Sequence, residues 1–177
     1  MHHLSPAEPT RSGEQGSRPR ASVRPMDDAR GAIANLLFTY AERIDLGDYE
    51  GLADLFAHAE ITADGREEPT RGRDEVLAMY TASTRKYDNG TPRTKHVTTN
   101  LIVEVDEGGD SATCRSYFTV MQAVPGGLHL QPVIAGRYHD RFERVDGTWR
   151  FTRRHMIVDL VGNLSQHLLF PYPGSTE

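Results

Sequence analysis

Hydrophobic positions in the first half of the chain recur at helical spacing. Apolar residues within 27–46 follow one helix face and predict an amphipathic helix that ends near Leu46 or Gly47. Asp48 then occupies the N-cap position of a short second helix. A third helix is predicted after Thr70–Asp74, and the run Glu60–Ala63 has the length of a strand. The first half therefore predicts three helices and one short strand.

In the second half, apolar and polar residues alternate with the period of a β-strand. Strands are predicted at about 97–105, 112–124, 131–145 and 148–159, and Asp146-Gly147 is a typical hairpin turn between the last two. This turn predicts three cross-strand pairs on one face: Phe142 with Phe151, Asp140 with Arg153, and Tyr138 with His155. Because that face combines aromatic rings with charged groups, we expect it to line a cavity. Apolar spacing in 161–169 predicts a final amphipathic helix.

Length and charge limit the organisation and the partners. The 177 residues suffice for one domain, expected at 26–170, between a disordered tail at 1–25 and a C-terminal tail at 171–177. The net charge of −5 supplies no basic field for phosphates, so nucleic acid is not an expected partner. No stretch resembles a signal peptide or has the length of a membrane span, so we expect no membrane partner. Cys114 is the only cysteine, which favours the reducing cytoplasm.

Motifs for cofactor chemistry are not found in the sequence. The histidines lack the spacing of metal ligands, and there is neither a glycine-rich phosphate loop nor a nucleophile elbow. We therefore expect any catalysis to proceed without a metal or another cofactor.

Five segments resemble the SnoaL-like branch of the nuclear transport factor 2-like superfamily. They are YAERIDLGDYEGLADLFA, RGRDEV, KHVTTN, AGRYHDRFERVDGTWRF and RRHMIVDLVGNLSQHL, and together the resemblance spans about Asp28–Leu169. It implies an α+β fold, a cone-shaped barrel of a strongly curved, mainly antiparallel sheet wrapped around three N-terminal helices, with a central cavity. It also implies a homo-oligomer, either a trimer or a dimer.

Within this branch the chain resembles scytalone dehydratase and bile-acid 7α-dehydratase, in which a helix-borne aspartate orients a strand-borne histidine. The resemblance assigns these roles to Asp45 and His96, with Tyr40 as a proton donor or substrate anchor. An arginine of the last strand maps to Arg153 or Arg154, and the hairpin register favours Arg153. His155 is the stand-in for a second catalytic histidine. The expected substrate-binding residues are Arg153, Asn100, Tyr138, Asp140, His155, Phe142 and Phe151.

The direction of His96 is left open by the alternation of its strand. Val97 and Leu101 lie on the apolar side, which places His96 and Asn100 on the other side. The histidine reaches a cavity if a bulge near residues 98–99 redirects it, or if the strand separates a core from a pocket. Otherwise it faces water.

These observations lead to one functional hypothesis with two alternatives. The hypothesis is a cofactor-independent lyase or isomerase that removes a proton from a hydrophobic cyclic molecule, such as a polyketide, terpenoid or steroid. The first alternative is a non-catalytic module that binds a ligand or assembles subunits. The second is a polyketide cyclase or an epoxide hydrolase in which Asp45 acts with water.

Overall fold

The computed structural model describes residues 25–176, so the predicted tail lies outside the described residues except at Pro25, where the first helix begins. The helices are α1 (Pro25–Leu46), α2 (Tyr49–Asp54) and α3 (Gly72–Ser83). The strands are β1 (Glu60–Ala63), β2 (Thr70–Arg71), β3 (Thr94–Val105), β4 (Ser111–Gln122), β5 (Gln131–Val145) and β6 (Thr148–Val161). The three predicted helices and the short strand β1 are confirmed.

Local chemistry explains where the first two helices meet. Gly47 follows α1 with a positive φ of 71°, a backbone conformation that glycine adopts without strain. Asp48 then caps α2, since its carboxylate accepts a hydrogen bond of 2.9 Å from the backbone N–H of Gly51. Asp45 therefore lies in the last turn of α1, directly before this connection.

The strands form one open sheet with the order β2-β1-β6-β5-β4-β3. β1 pairs with β6 in parallel and all other neighbours are antiparallel. Helix α1 contacts β3 and β6, so the core lies between the helices and one face of the sheet. The α+β class and the mainly antiparallel sheet are confirmed, but the sheet is not closed, because β2 and β3 are its edges.

A β-bulge in β3 decides which of its side chains face the core. Thr99 pairs with Tyr117 and Ile102 pairs with Arg115, so two residues of β3, Asn100 and Leu101, stand where β4 has one. Asn100 has a positive φ of 55°. Even-numbered residues face inward before this bulge and odd-numbered residues face inward after it. The structure therefore confirms a bulge that turns His96 inward, slightly beyond the predicted position.

A second bulge changes the register of the long hairpin. The predicted pair of Phe142 with Phe151 is confirmed, but Arg141 then pairs with Arg153, so Thr152 is an extra residue in β6. Beyond this point the predicted pairs are wrong: Asp140 lies opposite Arg154, and Tyr138 lies opposite Met156. Because side chains alternate between faces, the single extra residue moves Arg154 to the inner face and Arg153 to the outer face.

The predicted C-terminal helix is wrong. β6 continues to Val161, and the following residues form turns rather than a helix. The Asn163 side chain accepts a hydrogen bond of 3.0 Å from the backbone N–H of Ser165, which stabilises a turn in place of a helix start. Further along, Ser175 accepts from the backbone N–H of Leu164 at 3.0 Å, so the end of the chain folds back on this segment.

Candidate active site

Asp45 and His96 form a buried dyad between the end of α1 and the start of β3. Asp45 Oδ1 lies 2.7 Å from His96 Nδ1, and Asp45 Oδ2 accepts the backbone N–H of His96 at 2.9 Å. Thr94 donates its hydroxyl to Asp45 Oδ1 at 2.7 Å. The side chains of His96 and Asp45 are only 5% and 6% exposed. The carboxylate is thus held at three points and the imidazole is fixed against it.

The electrostatics of the dyad favour an ionised carboxyl. Burial raises the pKa of Asp45, but the hydrogen bonds and charge of His96, together with Thr94, outweigh burial and hold this pKa below its usual value. An ionised carboxylate accepts a proton-bearing Nδ1, so the unprotonated nitrogen of a neutral His96 is Nε2. This is the tautomer in which a histidine can take a proton from another molecule.

Tyr40 lies next to the dyad and connects it to two further tyrosines. Its ring is edge-on to the His96 ring at 6.3 Å between centroids, and its hydroxyl is 2.9 Å from the hydroxyl of Tyr80. Its ring also contacts Tyr138 edge-on at 6.0 Å. Burial, reinforced by Tyr40, raises the pKa of Tyr80 and of Tyr138 well above the usual value, so both remain neutral at physiological pH.

Arg154 is the arginine that faces this interior. Its guanidinium makes two hydrogen bonds to the Asp140 carboxylate, at 2.9 and 2.8 Å, and neither side chain is exposed. The guanidinium carbon also lies 4.2 Å from the centroid of the Tyr40 ring and 4.0 Å from that of Tyr138. Burial disfavours the charged guanidinium, but Asp140 outweighs this effect and raises the pKa of Arg154.

Three of the predicted binding residues lie away from the interior. Arg153 is on the outer face, where its guanidinium approaches Glu60, and His155 is bonded there to Thr62 at 2.8 Å. The bulge at Thr152 is the physical reason for both placements. Asn100 is exposed at the bulge of β3. The expectation that Arg153, His155 and Asn100 face a common cavity is therefore wrong.

The other predicted residues meet in the interior. Tyr138, Asp140, Phe142 and Phe151 are all buried. The Phe142 and Phe151 rings pack at 4.7 Å between centroids, and Phe151 stacks on Phe56 of the segment after α2 at 4.8 Å. The Arg154 guanidinium carbon lies 5.7 Å from the centroid of Phe56 and 5.1 Å from that of Phe151, so this aromatic cluster packs beside the ion pair.

Sequence reasoning missed three buried polar residues near the dyad: Thr94, Gln122 and His167. Gln122 is the last residue of β4 and lies opposite Thr94, the hydroxyl donor to Asp45. His167 belongs to the turn segment that was predicted as a helix. Burial, followed by the charge of His96, lowers the pKa of His167 to about 4. The Gly162-Asn163 pair directly after a strand was the available signal of a turn.

The described surface grooves do not reach the dyad. The groove with the largest described volume, about 490 Å³, runs between the start of α2 and the end of α3, and is lined by Tyr49, Thr84, Lys86 and Leu169, among others. Neither Asp45 nor His96 lines any groove described in residues 25–176.

Metal and membrane features can be assessed for the described part of the chain. No group of three or more His, Cys, Asp or Glu side chains in residues 25–176 is arranged to hold a metal ion. In the same residues, no helix is long and apolar enough to cross a membrane.

Comparison with known proteins places these features in a family. The SnoaL-like domain model matches residues 27–155. A protein of unknown function from Mycobacterium tuberculosis, Rv3472, is 30% identical with a TM-score of 0.59, and the match covers 77% of this chain and 73% of that one. No curated protein sequence matches the chain.

More distant solved structures share the fold. A candidate scytalone dehydratase from Novosphingobium aromaticivorans is 22% identical, with a TM-score of 0.62 and coverage of 77% of this chain and 87% of that one. LinA is 20% identical, with a TM-score of 0.60 and coverage of 85% and 93%. These similarities show that the chain shares the fold of these proteins.

Proposed function

Because this chain belongs to the SnoaL-like family of the NTF2-like superfamily, we propose that it is a cofactor-independent lyase or isomerase with Asp45 and His96 as its proton-transfer dyad. The observation that carries the proposal is the 2.7 Å contact between Asp45 Oδ1 and His96 Nδ1, with both side chains nearly buried. A carboxylate in this position fixes the imidazole as a base and stabilises its charged form after it takes a proton.

The proposed reaction is the loss of water from a β-hydroxy ketone. His96 Nε2 removes a proton from the carbon next to the carbonyl, and the electron pair left on that carbon forms the new double bond. The bond from the β-carbon to the hydroxyl oxygen breaks, and the hydroxyl leaves as water with the proton returned by His96. The ring of Tyr40 lies edge-on beside the imidazole, and we assign its hydroxyl to assist the departure.

Arg154 supplies the stabilising charge in this proposal. Its Nη1 is buried and has no hydrogen-bond partner among the described residues, while its other nitrogens bind Asp140. A charged donor of this kind is suited to an oxyanion that develops on the substrate carbonyl. The Tyr40 ring contacts both the Arg154 guanidinium and the His96 ring, so it lies between the proposed donor and the proposed base.

A hydrophobic cyclic substrate is favoured by the surroundings of these groups. Phe118 stacks on Tyr138 at 4.4 Å, and Phe56, Phe142 and Phe151 complete the apolar interior. Exclusion of water by such rings strengthens the charge interactions of the dyad and of Arg154.

The test is dehydration of the β-hydroxy derivative of α-tetralone, which yields α-naphthol and water. We expect the wild-type protein to form α-naphthol and to exchange the α-protons of α-tetralone in heavy water. His96→Gln should lower both rates by about 10²–10⁴-fold. Replacement of the exposed His129 by Gln is the matched control. Turnover that persists in the His96→Gln protein removes the dyad from the mechanism, and binding without turnover or exchange favours the non-catalytic module.

We also propose that the protein self-associates through the outer face of its sheet. Val97 and Ile102 of β3 and Tyr117 of β4 are exposed on that face although they are large and apolar. Contiguous exposed apolar residues of this kind mark interaction surfaces, and a second copy of the chain is the proposed partner.

A further inference from the structure

The segment that follows β6 is fixed against the end of α3 by its backbone. Arg85 donates its backbone N–H to the carbonyl of His167 at 2.9 Å, and Leu169 donates to the carbonyl of Ser83 at 2.9 Å. Tyr87 donates its hydroxyl to the carbonyl of Gln166 at 2.6 Å. These bonds fix the backbone around His167 and do not involve its ring nitrogens.

Gln122 meets this segment from the sheet. Its amide nitrogen donates to the carbonyls of Pro92 and Gln166, both at 3.0 Å, and the residue has no exposed surface. Because both partners are acceptors, the amide orientation is set and Oε1 points elsewhere. Oε1 is buried and accepts no hydrogen bond from any described residue. A buried acceptor without a donor is unfavourable, because it has lost its hydrogen bonds to water.

His167 is the second buried residue with unused hydrogen-bonding capacity. The residue is 6% exposed, and its Nδ1 is buried without a partner in the described part of the chain. The lowered pKa, about 4, keeps the ring neutral at physiological pH. A neutral imidazole nitrogen either donates or accepts one hydrogen bond, according to its tautomer.

Two contacts place this pair beside the dyad. Gln122 lies directly opposite Thr94, whose hydroxyl binds Asp45, and the carbonyl that Gln122 holds belongs to the residue before His167. The charged groups that act on His167 are His96, which disfavours a second positive charge, and Asp45, which favours it. Gln122 therefore lies beside the Thr94 residue that binds Asp45, and its side chain is joined to the segment that carries His167.

We propose that Gln122 Oε1 and His167 Nδ1 form a subsite for a hydroxyl group of the ligand. A hydroxyl can donate to the amide oxygen and accept from the imidazole, whereas a ketone oxygen can only accept and leaves Oε1 unmatched. An anionic group does not fit the subsite, because the amide oxygen of Gln122 repels it and the neutral ring of His167 offers no positive charge. The proposal deepens the proposed function, on which it rests, by requiring a substrate that bears a hydroxyl beside the reacting carbon.

The experiment compares two ligands that differ by one hydroxyl, α-tetralone and its β-hydroxy derivative. Their dissociation constants are measured by calorimetry on the His96→Gln protein, in which dehydration is suppressed. We expect the hydroxy compound to bind about 10–100-fold more tightly, the combined effect of two buried hydrogen bonds. His167→Leu should abolish this preference, and His167→Gln, which retains a donor and an acceptor, should keep part of it. His129→Leu serves as the matched control.

A second measurement keeps the test valid if His167→Leu does not fold. Histidine labelled with an isotope allows the ring nitrogens of His167 to be followed by NMR, and only the hydroxy compound should shift Nδ1. Equal binding of both ketones, an unshifted His167, or binding of neither compound overturns the subsite and indicates an ordered water only. If the hydroxy compound binds more tightly but the wild type exchanges no α-protons, the proposed lyase is contradicted and the subsite is retained. If α-protons exchange but both compounds bind equally, the subsite is contradicted and the lyase is retained.

Discussion

Arg154 and Asp140 form a two-point ion pair in which neither side chain is exposed. Loss of one partner leaves the other charge buried without its counter-ion, which destabilises a protein by about 3–5 kcal/mol. We therefore expect Arg154→Met to lower the free energy of unfolding by about this amount in chemical denaturation.

Arg153 is the matched control for this prediction. It is the neighbouring residue of the same type, but it lies on the outer face at 3.7 Å from Glu60, where an exposed pair contributes less than about 1 kcal/mol. Arg153→Met should therefore change stability little. Equal effects of the two substitutions would contradict the inward placement of Arg154. A double replacement, Asp140→Leu with Arg154→Met, should recover most of the loss, because it removes both charges.

The hairpin shows how far sequence patterns could predict the fold. The turn at Asp146-Gly147 and the pair of Phe142 with Phe151 follow from strong local signals, and both are confirmed. Threonine is common in regular β-strands, so the sequence pattern does not indicate that Thr152 is the extra residue of a bulge. One extra residue reverses which side chains face inward. Arg154 therefore lies on the inner face, where the pattern had placed Arg153.

The part of the candidate site that lies on a predicted helix and a predicted strand could be predicted from the sequence. Asp45 on α1 and His96 on β3 meet as the family resemblance implied. His167 was missed because the apolar spacing around it fits a helix, while the actual backbone is set by hydrogen bonds to residues distant in sequence, such as Arg85. Tertiary contacts of that kind leave no periodic signal.

Acid stability should depend on Asp45. Its pKa is lower in the folded protein than the ordinary 3.8, so the folded state binds its proton less readily than the unfolded chain. The stabilisation is complete above that ordinary value and is lost as the pH falls through the lower folded value. Asp45→Asn should reduce stability at neutral pH by about 1–3 kcal/mol, since an amide oxygen replaces a carboxylate with three hydrogen bonds. The loss relative to wild type should shrink below about pH 4, as unfolding curves at several pH values would reveal.

His167 should control stability in a higher pH range. Its pKa falls from the ordinary 6.5 to about 4 on folding, so between these values the unfolded chain binds a proton that the folded protein excludes. Stability should therefore fall as the pH is lowered from 6.5 toward 4, by at most about 3 kcal/mol in total. His167→Gln should flatten the pH dependence in this window, and His129→Gln should leave it unchanged. An unaltered slope in the His167→Gln protein would mean that this imidazole is accessible to protons in the folded state.

The outer face of the sheet yields a prediction about assembly. Ile102 is half exposed on an edge strand and lies on the same face as the exposed Val97, so a second copy could cover both. Ile102→Glu should place a charge in that contact and convert the oligomer to a monomer, as measured by light scattering after gel filtration. Leu130 is the matched control, because it is even more exposed but lies in the loop between β4 and β5, away from this face. If Leu130→Glu dissociates the protein and Ile102→Glu does not, the contact involves the loops and not the sheet.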